Sequence, residues 1–143
     1  MMVMRFTVPG RVKRTPSGKL GKARPVTWQR LQSRGNDGRY VDAEQRAEKD
    51  RIGQLALAAR PPAWPRDGEY EVSVIGYWPD RVTGDADRLT SLVMDALEGV
   101  LYTQDRQVKV QHGAILLDRA EGRSEVMVRY RPSGADWTDR VVR

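Results

Sequence analysis

Leu89, Leu92, Val93, Ala96 and Leu97 fall at i, i+3, i+4, i+7 and i+8, the spacing that lines one face of an α-helix. It predicts a helix from about Asp87 to Gly99, with the glycine placed to close it in a left-handed turn. A one-sided helix needs an apolar surface to cover, and the neighbouring segments supply one. Tyr70, Val72, Val74 and Gly76 alternate with Glu71, Ser73, Ile75 and Tyr77, as in a half-buried strand. Val108, Val110, His112, Ala114 and Leu116 alternate in the same way, as do Val126, Val128 and Tyr130. The turn at Glu121-Gly122-Arg123 between these last two predicts a hairpin. Met2–Val8 has the composition of a short edge strand. Asp42 with Gln45 three residues on resembles a capping box; it opens a stripe of Ile52, Leu55, Ala56 and Ala59 that Pro61-Pro62 ends. The order β-α-β-α-β-β predicts an α+β fold, a small mixed β-sheet with two main helices. We read residues 1–131 as one domain and 132–143 as a polar tail, with Trp137 as its docking point.

Charge divides the chain. Residues 1–40 hold ten Lys/Arg and one acid, a net +9, which leaves −3 on the rest within the total of +6. The basic portion, 10–40, is broken by glycines and prolines into a long loop, expected to stay extended or mobile until an anion orders it. Either this segment merely solubilises the chain, or Arg11, Lys13, Arg14, Lys19, Lys22 and Arg24 are nucleic-acid contacts, with Arg106 and Lys109 as further DNA-binding candidates outside it. Trp28 and Tyr40 are placed either to stack on bases or to anchor the loop. The absence of cysteine excludes disulfides, thiolate zinc sites and cysteine nucleophiles, and a lone His112 makes no histidine cage. His112 alternates with apolar neighbours and reads as a core or interface residue. No phosphate-cradling Gly-rich loop occurs, so no nucleotide cofactor is expected. No apolar run approaches a membrane span, and the expected location is the cytoplasm.

Against the basic background, Asp85, Asp87 and Asp105 stand out. Asp85-Ala86-Asp87 precedes the strongest helix, where an aspartate caps free N–H groups and complements the helix dipole. Two carboxylates at this spacing also suit Mg²⁺, which takes oxygen ligands and few protein carboxylates. Composition leaves both readings open.

Asp85-Ala86-Asp87-Arg88-Leu89, then Met94-Asp95-Ala96-Leu97, then Gln104-Asp105-Arg106-Gln107-Val108 resembles the signature of the RusA family of Holliday junction resolvases. That pattern is approximately D-x-D-N-L-x-K-x-x-x-D-A-L, a short loop, then D-D-x-Q-[VI], and it fits without a gap. The resemblance extends more loosely over most of residues 1–130. It implies a homodimeric, Mg²⁺-dependent endonuclease (Mn²⁺ as a substitute) that resolves four-way DNA junctions by paired nicks in recombination and repair, in a bacterial or phage-infected cytoplasm. It puts Asp85, Asp87 and Asp105 at the metal, with Asp95 and Gln107 at matching positions of structural role. Two departures from the pattern matter: Arg88 stands where the family commonly has an Asn, and Ser91 where it commonly has a Lys important for catalysis. Arg88 shares a helical face with position 91 and is a candidate replacement cation, as are Arg106 and Lys109 from the strand side. Any such role is electrostatic, because arginine is no general base.

The spacing raises a geometric question. The predicted helix is about 20 Å long, and the six residues from its end to Asp105 reach roughly the same distance. Asp105 therefore meets Asp85 and Asp87 either by a nearly straight return or across a two-fold dimer. Two rivals to the nuclease reading stand beside it: a catalytically impaired junction- or DNA-binding protein, and a basic accessory protein in which the aspartates only cap a helix.

Overall fold

The computed structural model describes residues 2–12, 17–27, 43–80 and 84–141. Its strands are β1 (Met2–Pro9), β2 (Glu69–Trp78), β3 (Val108–Leu117) and β4 (Arg123–Arg131), and its helices α1 (Ala43–Ala59) and α2 (Ala86–Leu97). The order β-α-β-α-β-β and the α+β class are as expected, and the four strands form one mixed sheet in the order β1-β4-β2-β3. β2 and β3 run parallel, whereas β4 is antiparallel to both β1 and β2. Parallel neighbours need a crossover, and α2 is that crossover. Both helices lie on one face: α1 touches β1, and α2 covers β2 and β3 and packs against α1.

The predicted apolar stripe is the centre of the core. Leu89, Leu92, Val93, Ala96 and Leu97 are all buried, against Tyr70, Val72, Val74, Val126 and Val128 of the sheet. Each large side chain removed from water in this way contributes about 1.5–3 kcal/mol. Gly99 follows the helix with φ +86°, a value glycine adopts without strain. On α1 the buried row is Gln45, Glu48, Ile52 and Ala56, with Leu55 partly covered and Ala59 exposed. Asp42 lies outside the described residues.

Two expectations for β3 and β4 need correction. They form no hairpin, because β2 lies between them. The connecting turn crosses the end of β2: the Asp118 N–H donates to the Trp78 carbonyl at 2.8 Å, and β4 then enters on the far side. The row of β3 expected to be apolar also faces away from the helices. Glu71, Ser73 and Ile75 are paired with Val110, His112 and Ala114, while Val72 and Val74 are paired with Gln111 and Gly113. A register shift between Tyr70 and Glu71 leaves Val108 packed against the core. Gly113 shows why Gln111, Gly113 and Ile115 take the helix side. A Cβ there would lie 2.4 Å from Thr90 Oγ1, so α2 approaches β3 at the one position without a side chain.

The tail docks as expected at Trp137, which is 8 % exposed and donates Nε1–H to Glu69 Oε1 at 3.0 Å. Arg131 lies over its ring at 4.6 Å and pairs with Asp139, whose carboxyl it holds down at about 2. Trp64 and Trp78 are buried packing residues, and the Trp64 N–H donates to the Leu101 carbonyl. No helix among the described residues is long and apolar enough to cross a membrane.

Candidate metal centre and nucleic-acid interface

Asp95 occupies the polar side of α2, and Glu98 is its C-cap. The chain then makes a tight reversal in which the Gly99 N–H donates to the Tyr102 carbonyl at 2.7 Å. Tyr102 is fully buried and donates its hydroxyl to the Met94 carbonyl at 2.5 Å, so the reversal is pinned back onto the helix. A short 3₁₀ turn, Asp105–Gln107, follows. Gln107 holds it from both ends of its amide: Oε1 accepts from the N–H groups of Thr103 and Gln104, and Nε2 donates to the carbonyls of Arg66 and Gly68. The structural role expected of Gln107 is therefore visible in its bonds.

This reversal brings Asp105 to Asp95 and Glu98. Carboxylate oxygens of the three lie within 4.8 Å of one another, and among the described residues this is the one group of three acidic or histidine side chains that converges in this way. Such a group can bind a metal ion. Desolvation, then the charge of Asp105 and a hydrogen bond with it, raise the Glu98 carboxyl above its ordinary range. Lys49 of α1 reaches in from the side, with Nζ 2.9 Å from Asp95 Oδ2. Ser91, Met94 and Gln111 complete a small open pocket with Asp95 and Asp105.

Asp85 and Asp87 stand at the other end of α2. Asp85 is the N-cap, and its Oδ1 accepts from the N–H groups of Asp87 at 2.8 Å and Arg88 at 3.3 Å. Asp87 and Arg88 are exposed in the first turn. Eight residues separate Asp87 from Asp95, about 12 Å of helix. Within one chain, then, Asp105 converges with Asp95 and Glu98 rather than with Asp85 and Asp87. Asp87, Ser91 and Asp95, four residues apart, still share one helical face beside β3. Arg106 and Lys109 are exposed and line a neighbouring cleft with Gln104 and Ser133, outside the acidic pocket.

The described part of the basic arm is tied down at its root. Arg11 and Arg24 form an isolated antiparallel bridge with N···O distances of 2.7 and 2.9 Å, and the Gly10 N–H donates to the Gly122 carbonyl. The Arg24 guanidinium pairs with Asp80, and Arg11 Nε lies 3.0 Å from Glu48 Oε2. The loop expected to await an anion is thus held at this point by the protein itself. Lys19 and Lys22 are exposed. Lys13, Arg14, Trp28 and Tyr40 lie outside the described residues.

Sequence reasoning did not single out Glu98, Lys49 or the carboxylate of Glu71. Glu71 is fully buried on the sheet face opposite the helices, where Arg129, Arg140 and His112 meet it at 3.0, 3.1 and 3.1 Å. His112 is therefore a half-buried partner of this cluster. A signal for Glu98 was legible, since Asp95 and Glu98 are three apart on a helix whose opposite side is wholly apolar. For Glu71 the only signal was an acid inside a strand. No protein-family model matches the chain, and no curated protein does.

Proposed function

We propose that this protein is a Mg²⁺-dependent, structure-selective DNA endonuclease that resolves four-way junctions by paired nicks, as its resemblance to the RusA resolvases implies. The observation that carries the reading is the convergence of Asp105 with Asp95 and Glu98 within 4.8 Å, at the motif position where the resemblance puts a metal ligand. Three carboxylates of this kind would hold one Mg²⁺, whose chemistry is to polarise a phosphate and lower the pKa of an attacking water. The protein's own part is to fix Asp105 through Gln107 and Tyr102 and to present Ser91 and Gln111 beside it. Asp85 and Asp87 reach an Asp105 from a second copy in a two-fold homodimer, which also supplies the two sites that paired nicks need. Cytoplasmic branched DNA is the partner, held mainly through phosphate charge, so affinity falls steeply with salt.

A second reading, a junction-binding protein that does not cut, is favoured by two observations. Lys49 already engages Asp95, and Ser91 stands where the resemblance has a catalytic lysine. A labelled immobile four-way junction with and without Mg²⁺ separates the two. Metal-dependent paired nicks, lost in Asp105→Asn, with single nicks restored by mixing Asp87→Asn with Asp105→Asn subunits, support the nuclease and its shared site. Junction binding with no nick in Mg²⁺ or Mn²⁺ supports the second reading. Equal affinity for junction and duplex removes both in favour of a basic accessory protein.

A further inference from the structure

Glu48 has side-chain exposure of only 2 % and sits on α1 away from the acidic pocket. Burying a carboxylate costs several kcal/mol unless cations and hydrogen bonds answer it. Two arginines do so here. Arg51, one turn along α1, binds Oε1 with Nε at 2.8 Å, and the same guanidinium donates to the Pro9 carbonyl at 2.6 Å. Arg11, the second residue of the basic arm, places Nε 3.0 Å from Oε2 as an ion pair only, and Oε2 has no hydrogen-bond partner among the described residues. Pro9 and Arg11 flank the point where β1 ends and the arm begins. One buried carboxylate on a helix therefore grips the arm from both sides of its root, directly through Arg11 and through Arg51 at the Pro9 carbonyl.

We propose that Glu48 is a positioning residue that sets the root of the basic arm, so that the arm meets a polyanion already aimed. The proposal rests on the DNA-binding reading above for its partner. It also divides the arm's cations. Arg11 and Arg24 hold the arm to Glu48 and Asp80, and the exposed Lys19 and Lys22 meet phosphates. A preset loop gives up less conformational freedom on binding than a free one, and affinity rises by that difference.

The test exploits opposite signs. Glu48→Gln removes a negative charge from a protein of net charge +6, and charge alone predicts tighter DNA binding. Positioning predicts weaker binding, by threefold or more, measured at a temperature where the variant is fully folded. A second readout needs no DNA: limited trypsin cleavage after Lys19 and Lys22 should quicken at least fivefold in Glu48→Gln. It should also quicken in Arg11→Gln, which leaves the Arg51–Glu48 pair intact and serves if the first variant folds poorly. Cleavage unchanged in both variants, or tighter DNA binding by Glu48→Gln, overturns the proposal. A wild-type protein that ignores DNA overturns the functional reading instead, and the cleavage rates still decide whether Glu48 holds the arm.

Discussion

The molecule carries two carboxylate clusters that solve opposite problems. Around Glu71 one buried acid is met by Arg129, Arg140 and His112, so the charge is answered from within the chain and the cluster ties β2, β3, β4 and the tail together. Around Asp105 three acids converge near the surface, with one lysine paired to Asp95. The first arrangement is closed, with no coordination left for a ligand. The second is under-neutralised and gains from any cation that enters. Burial accounts for the difference, because an unanswered charge is tolerated only where water can reach it.

Breaking the closed cluster should have the largest effect. Glu71→Gln leaves the partly exposed guanidinium groups of Arg129 and Arg140 without the buried carboxylate they bond, and a loss of about 1.5–3 kcal/mol is expected from losing hydrogen bonds to a charged group. Denaturant unfolding measures it, and divalent-ion affinity should not change. Stability retained to within 1 kcal/mol would mean that the guanidinium groups find other acceptors.

The open cluster should respond to pH and metal together. Because the folded-state Glu98 carboxyl is raised by desolvation and by Asp105, its contribution to the metal-free protein is fully present below the ordinary carboxylate range. It is lost as pH climbs through the raised value, where three negative charges must coexist. A divalent ion offsets that repulsion, so Mn²⁺ should raise the melting temperature more at pH 7 than at pH 4.5. Glu98→Gln should flatten the contrast. Equal shifts at the two pH values would place the metal elsewhere.

The smallest effect belongs to the lysine. The Lys49–Asp95 pair is about one-third exposed on each side, and such pairs contribute ~0.2–1 kcal/mol. Lys49→Met should therefore cost little stability but tighten Mn²⁺ binding several-fold, since the ion no longer competes with an ammonium for Asp95. Weaker binding in that variant would give Lys49 a supporting role at the metal instead.

Legibility in the sequence followed the strength of local pattern. The stripe from Leu89 to Leu97 announced α2 and the core, and the alternation of Tyr70, Val72 and Val74 announced the strand beneath it. Strand pairing was not legible, because a five-residue turn suits a hairpin and a crossing of β2 equally well. The facing of β3 misled for a related reason. Its valine row looks apolar, yet a tight approach by α2 selects the row containing Gly113. At the site, Asp105 was readable from its motif position and Asp85 from its place before a helix. That Asp105 meets Asp95 and Glu98 depends on the reversal held by Gly99, Tyr102 and Gln107, whose bonds span up to 41 residues of sequence.

Titration of the metal-free protein with Mn²⁺, followed by calorimetry, tests most directly whether the open cluster is a metal centre. One ion per chain is expected at pH 7, lost in Asp105→Asn and retained in Glu71→Gln. A wild-type protein that takes up no ion, or an Asp105→Asn variant that binds as well as wild type, would contradict the assignment.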